Sequence, residues 1–599
     1  MIKVSDYIIQ RLVDYGVKDV FMISGGGAMH LNDSVGRNGN IQYICNHHEQ
    51  ASAIAAEGYA RASGKLAVVI VTSGPGGTNT ITGVIGQWLD SVPVLYISGQ
   101  VKRETTIASC PDIPLRQLGD QEINIVDIVR SVTKYAAQIV DPLKVKWYLD
   151  KAVYLATHGR PGPVWLDIPL DVQGALVDEE MLYPSDSNFE TEQKEHNEIQ
   201  EKVRQTIQLL KAADRPVILA GHGIRIAKAL DYFKEFVKKT GIPVVSSLNG
   251  CDLIATDHPC FIGRIGTIGS RAGNFAIQNA DFLLSIGSRN NIRQIGYNWE
   301  MFARDAIKVI IDIDPAELQK PTVIPNLAIQ ADARDFLQEI NQQLSNQSLP
   351  NWNSWKNWCT KRKEKYPTLP PEYMDANHNV NPYLFIKRLS ENMADDAVIV
   401  TGNGTACISL FQAVEVKEGQ RIIWNSGCAA MGYDLPAAIG ACFANRKKAV
   451  ICLAGDGSLQ MNIQELQTIK HHNLPIKLFV LNNDGYISIR QTQENLFNRN
   501  YVACDSSCGI SFPNLANIAE AYGLAYEFID HNDGLEDKII KILADSQAVI
   551  CEVLLDTDYK FSPKASSMQL PDGTMVSRSL EDMAPFLDRG EFTENIIIK

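Results

Sequence analysis

Short runs rich in Val and Ile alternate along the chain with longer stretches whose apolar residues recur every three or four positions. The first pattern is typical of buried β-strands and the second of amphipathic helices. Strands that alternate with helices predict parallel sheets covered by helices on both faces. The predicted strands are residues 19–23, 41–45, 66–72 and 92–98, residues 216–220, 243–246, 281–286 and 307–313, and residues 397–401, 422–425, 449–454 and 476–481.

These strands fall into three blocks of similar size, and 599 residues are too many for a single core. The predicted fold class is therefore α/β, with three Rossmann-like, doubly wound parallel-sheet domains. The predicted domains are residues 1–180, 199–345 and 375–560. A polar, turn-rich tail at 561–599 either folds over the active site as a lid or packs on the surface. Two polar stretches, 183–198 and the Trp-rich 352–365, are predicted to be linkers.

Composition and charge exclude several classes of protein. A net charge of −13 without a block of Lys and Arg argues against a nucleic-acid surface. No run of about 18 apolar residues is present, so no transmembrane helix is predicted. The N-terminus has the pattern of an amphipathic helix rather than a signal peptide. The 12 cysteines are scattered; Cys504 and Cys508 are the closest pair, and no nearby His completes a zinc site. We therefore expect a cytoplasmic protein with free thiols.

Two turns that follow successive predicted strands carry the strongest chemical signal. Strand 449–454 leads into Gly455-Asp456-Gly457-Ser458, and strand 476–481 leads into Asn482-Asn483-Asp484-Gly485. One helix is predicted between them, and its buried face carries Leu459, Ile463, Leu466 and Ile469. Because both strands of a βαβ unit point the same way, the two turns emerge at the same edge of the sheet, where open α/β sheets bind ligands.

The oxygen atoms of these turns suit a hard cation. Asp456 offers a carboxylate, Asn483 an amide oxygen and Gly485 a backbone carbonyl, which together form a ligand set for Mg²⁺. Glycine beside Asp456 lets the backbone approach an anion, and the helix that begins at Ser458 adds its dipole. The alternative is a pair of ordinary loops, since each turn alone is common.

The pair of turns resembles the Gly-Asp-Gly and Asn-Asn signature of thiamine diphosphate (ThDP) enzymes, in which the Asp, the second Asn and a following carbonyl hold the metal. The stretch HHEQASAIAAEGYAR resembles the one that supplies the carboxylate for the pyrimidine ring in the acetohydroxyacid synthase and pyruvate oxidase family, and that carboxylate is Glu49 here. Residues 73–79, SGPGGTN, resemble the first-domain cofactor loop of that family, and residues 160–173 resemble its closing strand. Nearly the whole chain resembles the large catalytic subunit of acetohydroxyacid (acetolactate) synthase, in pyrimidine-binding, central and diphosphate-binding order.

The resemblance implies a carboligase that uses ThDP and Mg²⁺ to decarboxylate a 2-keto acid such as pyruvate and transfers the two-carbon unit to an acceptor carbonyl. It implies that Glu49 contacts the aminopyrimidine ring, that Met431 lies under the thiazolium, and that Gln121 is a further catalytic residue. The residues that it assigns to cofactor binding are Gly25, Ser73, Gly76, Asn79, Gly404, Thr405, Ala429, Met431, Gly455, Gly457, Ser458 and Tyr486. The alternatives are acetolactate synthase proper and a ThDP-dependent 2-keto acid decarboxylase or oxidase.

The resemblance also bears on partners. In this family the first-domain carboxylate and the metal site meet across a subunit interface, so a homodimer or a homotetramer is expected. Whether a regulatory subunit binds is left open.

The middle block carries two glycine turns at strand ends, Gly221-His222-Gly223 and Gly287-Ser288-Arg289. Such turns can cradle a nucleotide, but any Rossmann-like domain needs them merely to turn, and no G-x-G-x-x-G is present. In acetohydroxyacid synthases the matching turns hold FAD, and Arg289 and Arg293 fall where that family has arginines. The resemblance therefore implies FAD, with another nucleotide or an empty site as alternatives.

Some residues depart from the family pattern. Asp120 stands where the family has an apolar Phe, and Arg490 where it has a Trp that lines the substrate channel. The family's Gln and His in the diphosphate loop correspond to Thr405 and Ala406. A charge in an apolar channel needs a partner. Either Asp120 and Arg490 are exposed or paired with protein, or the acceptor is polar; we hypothesise a polar ketone such as a keto sugar.

Overall fold

Three six-stranded sheets, each wholly parallel, organise the chain in the computed structural model. The structure describes residues 1–184, 196–345, 347–369, 373, 379–569 and 571–598. Most of the predicted linker 183–198 therefore lies outside the described residues. The predicted α/β fold of three doubly wound domains is confirmed.

The first and third sheets share one topology. From edge to edge, the strands of the first sheet are Gln42–Cys45, Asp19–Met22, Ala67–Val71, Val94–Gln100, Val164–Pro169 and Tyr135–Gln138. Those of the third sheet are Arg421–Ile423, Val398–Thr401, Val450–Gly455, Ile476–Asn482, Val549–Leu554 and Ala525–Ile529. In both sheets the chain enters at the second position and leaves through the strand next to the far edge.

The middle sheet has a different order. Its strands from edge to edge are Phe261–Arg264, Val244–Ser246, Pro216–Ala220, Phe282–Ile286, Ile307–Asp312 and Leu327–Gln330. The chain fills one half of the sheet outward from Pro216–Ala220 and then the other half outward from Phe282–Ile286. These two central strands therefore send their connections in opposite directions, which opens a crevice between them at the carboxyl edge.

Helices cover both faces of each sheet. The α-helices of the first domain are Val4–Asp14, Met29–Arg37, Glu49–Ser63, Pro75–Thr78, Ile81–Asp90, Ile125–Val129, Val145–Thr157 and Leu170–Gln173. Those of the middle domain are His196–Lys211, Gly223–Ile226, Leu230–Thr240, Arg271–Gln278, Ile292–Ile295, Pro315–Leu318, Ala333–Leu344 and Asn353–Lys365. Those that follow are Pro382–Asn392, Thr405–Ala413, Asp434–Ala444, Asp456–Gln460, Leu466–His472, Ile487–Leu496, Leu515–Tyr522, Leu535–Ala544 and Arg589–Glu594. No helix among the described residues is long and apolar enough to cross a bilayer.

Two local predictions are wrong. Residues 352–365 form the helix Asn353–Lys365 rather than a solvated linker, because Trp355 and Cys359 are buried against the middle domain. The helix predicted after Asp456 is broken into three short pieces near Asn462. The Asn462 side chain is buried and donates to the Gly432 carbonyl and to Gln50, which competes with regular helix geometry.

The small-residue helix Glu49–Ser63 packs directly on helix Asp434–Ala444 of the third domain. A Cβ placed on Gly58 would lie 2.1 Å from the Ala437 carbonyl oxygen, and one on Gly440 would lie 1.8 Å from that of Ala55. Backbone therefore meets backbone at this crossing, and only glycine fits at either position. The contact fixes the first domain against the third.

Asp90 joins all three domains. Its carboxylate accepts from Arg61 at 2.8 Å in the first domain, from Arg289 at 3.1 Å in the middle domain, and from the Ser426 N–H at 2.9 Å in the third. Asp90 is 6 % exposed. A buried carboxylate with this set of donors is a fixed junction rather than a surface ion pair.

The tail docks on the middle domain. Arg271 donates to the Met583 carbonyl, Asn274 to the Leu580 carbonyl, and Gln278 to the Glu581 carboxylate. All three donors lie on the single helix Arg271–Gln278. The start of the tail contacts the third domain, where Gln412 donates to the Pro563 carbonyl, and the lid over the active site stays a prediction.

Candidate active site

The two turns singled out in the sequence are joined to each other at the carboxyl edge of the third sheet. Strands Val450–Gly455 and Ile476–Asn482 are neighbours, with Gly455 opposite Leu481. Asp456 Oδ2 accepts from the N–H groups of Asn483 and Gly485 at 3.0 and 3.1 Å, and Oδ1 accepts from that of Gly457 at 2.7 Å. Asp456 therefore holds both turns in one rigid cluster.

The side chain of Asn483 presents an unused oxygen to this cluster. Its Nδ2 donates to Thr405 Oγ1 at 3.0 Å, and Thr405 in turn lies 2.5 Å from the Tyr559 hydroxyl. Its Oδ1 is buried and has no hydrogen-bond partner among the described residues. Burial also raises the pKa of Asp456 to about 6. A buried carboxylate beside an unpaired amide oxygen fits a hard cation, which would satisfy both.

Gly485 has a backbone that only glycine adopts easily. Its φ is +134°, and a Cβ there would lie 2.1 Å from the Cys504 carbonyl oxygen. The same carbonyl accepts from the Tyr486 N–H at 2.7 Å. The Tyr486 ring packs against Gly457, where a Cβ would lie 2.2 Å from the ring. These close approaches fix the second turn against the first.

A buried Asp that sequence reasoning missed supports the cluster from behind. Ser458 Oγ donates to Asp434 Oδ2 at 2.5 Å and accepts from the Gly432 N–H at 2.8 Å. Burial raises the pKa of Asp434 to about 6. A charged residue at the start of the apolar stretch DLPAAIGACFA was the available signal. Asp434 links the Gly457-Ser458 turn to the loop that carries Met431.

The remaining third-domain candidates lie on loops at the same edge of the sheet. Gly404 has φ +64° and directly precedes helix Thr405–Ala413. Ala429 has φ +52°, and its N–H donates to Asn425 Oδ1 at 3.1 Å. Met431 is half-buried. The structure thus gathers the predicted third-domain residues around Asp456.

A second group gathers at the carboxyl edge of the first sheet. Glu49 begins helix Glu49–Ser63, and its Oε2 accepts from Asn79 Nδ2 at 3.0 Å. Gly25 and Gly76 both pack on Thr72, where a Cβ would lie 2.5 and 2.8 Å from its side chain. The other members of the group are buried Ser73 and exposed Gln121, which has φ +58°. No hydrogen bond or ion pair among the described residues joins Glu49 to Asp456, Asn483 or Gly485.

The two charges that depart from the family pattern are both accounted for. Arg490 Nε lies 3.2 Å from Asp505 Oδ2, and its Nη2 donates to the Asp484 carbonyl at 2.7 Å. Asp120 is exposed. The physical reason for a keto sugar acceptor, an uncompensated charge in the channel, is therefore absent, and that hypothesis is not supported.

The crevice of the middle sheet holds a cavity of about 430 Å³. Gly223 and Arg289 line it, together with Arg160, Arg334 and Asp312. Burial raises the pKa of Asp312 to about 6. The volume and the mixed charges suit a small-molecule ligand.

The residues of this domain that were predicted to bind a nucleotide do not all line the cavity. The Gly221 and Gly223 N–H groups already donate to Ile286 and Gly287 carbonyls, both at 2.9 Å. Close contact between the two turns therefore explains these glycines without a ligand. Arg293 is not among the residues that line the cavity; its guanidinium lies over the Trp424 ring, 5.1 Å from the centroid.

Comparison with known proteins agrees with this geometry. Residues 2–127, 203–340 and 402–553 match the N-terminal TPP binding, central and C-terminal TPP binding domains of thiamine pyrophosphate enzymes. Three parallel sheets and the edge cluster at Asp456 thus define a ThDP-dependent enzyme.

Individual relatives show which family of ThDP enzymes the chain resembles. The acetolactate synthase large subunit of Lactococcus lactis is 35 % identical over 553 residues, which is 92 % of each chain. The isozyme 2 large subunit of Escherichia coli is 31 % identical over 580 residues, 97 % of this chain and 100 % of the relative. Chloroplastic acetolactate synthase 2 of tobacco is 34 % identical over 567 residues, 92 % of this chain and 82 % of the relative. The chain belongs to the acetolactate synthase large-subunit family of ThDP enzymes.

Proposed function

We propose that this protein is a carboligase that decarboxylates pyruvate, or another short 2-keto acid, and joins the two-carbon unit to a second carbonyl compound. The observation that carries the proposal is the buried pair of Asp456 and the unpaired Asn483 Oδ1, because it suits a hard cation at the edge where this family binds its cofactor. Bound ThDP would supply the nucleophilic carbon and the electron sink that decarboxylation needs.

The chain's own residues would bind and orient that cofactor. Asp456, Asn483 Oδ1 and the Gly485 carbonyl would hold Mg²⁺. Thr405 Oγ1 accepts a hydrogen bond from Asn483 Nδ2. This fixes the orientation of the amide and leaves Oδ1 available to bind the cation. Tyr559 supports Thr405 in turn.

Glu49 would form a hydrogen bond with a ring nitrogen of the pyrimidine and so control the proton on the ring. Asn79 holds one carboxylate oxygen, which orients the side chain and leaves the other oxygen for the ring. Met431 would provide the apolar wall under the thiazolium, for which a half-buried, flexible thioether is suited. Gln121 would contact the substrate side.

The acceptor that we propose is a second short 2-keto acid. Arg490, the residue that could bind a polar ketone, already has its charge matched by Asp505. Release of a free aldehyde as the sole product would instead make the enzyme a decarboxylase, and electron transfer to a flavin would make it an oxidase.

We infer that the smallest active unit is a dimer, alone or within a tetramer. The support is that Glu49 lies at the edge of the first sheet and Asp456 at the edge of the third, and that no hydrogen bond or ion pair among the described residues joins them. An approach of one chain's first domain to another chain's third domain would complete the site.

We also infer that the cavity of the middle domain binds a nucleotide, with FAD as the first candidate. Arg334 is the cation that would face its diphosphate, since it lines the cavity and forms no ion pair among the described residues, whereas Arg160 and Arg289 already pair with Asp314 and Asp90. The test is the absorbance spectrum of the purified protein, followed by mass spectrometry of the ligand released on denaturation. A colourless protein without a released nucleotide would contradict this inference.

The experiment for the main proposal is product analysis with added ThDP, Mg²⁺ and pyruvate. We expect acetolactate from pyruvate alone, and its loss in Glu49→Gln. A panel of keto acids and keto sugars tests the acceptor. Carbon dioxide released only in the presence of a keto sugar would overturn the proposed acceptor.

A further inference from the structure

A separate cavity of about 520 Å³ lies between the middle and third domains. Its walls are mainly apolar and include Phe261, Ile262, Ala272, Phe411 and Val414. Phe261 and Ile262 come from an edge strand of the middle sheet, whereas Phe411 and Val414 come from the end of helix Thr405–Ala413 and the residue after it. The cavity therefore lies at the interface between the middle and third domains.

One wall of this cavity contains a buried cation without a carboxylate partner. Arg264 is 6 % exposed, and its Nη2 donates to the Val414 carbonyl at 2.8 Å and to Thr256 Oγ1 at 3.3 Å. Among the described residues, its Nε has no hydrogen-bond partner and Arg264 forms no ion pair; its guanidinium lies 5.8 Å from the centroid of the Phe261 ring. Burial lowers the pKa of Arg264.

The neighbouring groups leave this charge uncompensated. Lys363 also lines the cavity, and its ammonium donates to the Thr256 and Phe261 carbonyls at 2.7 and 2.9 Å. Glu415, the acid among the described lining residues, is paired at 3.0 Å with a third cation of the wall, Lys387. The described wall therefore carries three cations and one acid. Because that acid already pairs with Lys387, neither Arg264 nor Lys363 has a carboxylate partner on the wall.

We propose that this cavity binds an organic monocarboxylate with a compact apolar body. The carboxylate would accept from Arg264, whose guanidinium is suited to planar, two-oxygen recognition, and the body would pack on Phe261 and Phe411. A buried cation is costly without a partner, and a bound carboxylate would supply one. The volume is in the range of pockets for small molecules.

The test uses 3-phenylpropanoate, which has no keto group to react at the catalytic centre. Binding to the full-length protein is measured by calorimetry. 3-Phenylpropanamide serves as the comparison without a charge, and inorganic phosphate as the comparison without an apolar group. We expect the carboxylate to bind and both comparisons to bind at least about tenfold more weakly. Arg264→Met should weaken carboxylate binding by the same factor. Arg388→Met is the matched control, because Arg388 is a surface residue paired with Glu391.

A second measurement does not depend on folding of the Arg264 variant. Photolysis of wild-type protein with 3-(4-azidophenyl)propanoate should label peptides that contain Phe261 or Phe411. Equal binding of acid and amide, unchanged binding in Arg264→Met, the absence of binding, or labelling elsewhere would each overturn the proposal.

Discussion

Asp456 and Asp484 occupy the same pair of turns, but only Asp456 is buried. We expect Asp456→Asn to lower the apparent affinity for Mg²⁺ by about ten- to a hundredfold, because a charged ligand is lost from a buried site. The measurement is a titration of activity or cofactor retention against Mg²⁺. Asp484→Asn is the matched control and should behave as the wild type. Equal loss in both variants would show that Asp456 does not hold the metal.

Asp167 gives a prediction about pH. It is 1 % exposed and accepts from Ser98 at 2.6 Å and from Gln138 at 2.9 Å. Burial raises its pKa to about 6, above the unfolded value, so the folded protein binds this proton more tightly. Its contribution to stability is therefore full at low pH and is lost as the pH rises through about 6. No charged group is among the causes of this shift.

Asp167→Asn replaces the titratable carboxyl group with an amide of nearly the same shape. We expect the wild-type melting temperature, measured relative to this variant, to fall between pH 4 and 7. The comparison is made by calorimetry across this range. A difference that stays constant with pH would contradict the raised pKa.

At the scale of residues, the sequence predicted the site residues that directly follow strands. It missed the residues that contact the site from distant parts of the chain. Asp456 and Asn483 each come directly after an apolar run, so their position at the sheet edge follows from the pattern alone. Asp434 and Cys504 contact the same turns through side-chain and backbone packing across many residues. No local pattern encodes such contacts.

At the scale of elements, the crossing of helices Glu49–Ser63 and Asp434–Ala444 allows a direct test of close packing. Gly440→Ala would force a methyl group against the Ala55 carbonyl. We expect a loss of about 1–3 kcal/mol in stability, measured by denaturant unfolding, because the two backbones must separate. Gly36→Ala is the control, since that helix position is exposed with open space around it, and it should be neutral or stabilising. Similar effects of the two substitutions would rule out a tight crossing.

Most of the strands that the sequence did not reveal lie at sheet edges, although the internal strand Val549–Leu554 was missed as well. Tyr135–Gln138 and Ala525–Ile529 lie at sheet edges and are only partly buried, so they lack a continuous apolar run. Leu327–Gln330 is likewise an edge strand. Central strands such as Ile476–Asn482 are apolar throughout because both faces are covered. The pattern therefore predicts the centre of a parallel sheet better than its edges.

At the scale of the whole molecule, Asp90 is the group on which the three domains depend. Asp90→Asn would remove the buried carboxylate that Arg61 and Arg289 share and would leave Arg61 paired with Glu57 alone. We expect a loss of about 3–5 kcal/mol, seen as a lower melting temperature in calorimetry. Asp127→Asn, in an exposed pair with Arg130, is the control and should change stability by less than about 0.5 kcal/mol. A small effect of Asp90→Asn would mean that the domains hold together without this junction.

The proposed dimer, with each active site formed by two chains, gives a prediction that can be tested with mixed subunits. Glu49 lies at the edge of the first sheet and Asp456 at the edge of the third, so each inactive variant keeps one intact half of the proposed site. If the halves belong to different chains, a mixed dimer of Glu49→Gln and Asp456→Asn has one site with both defects and one site with neither. We therefore expect activity to return when the two inactive variants are mixed under conditions that allow subunit exchange, and not when either is incubated alone. A mixture that stays inactive despite exchange, followed with a mass-tagged partner, would place the complete site within one chain.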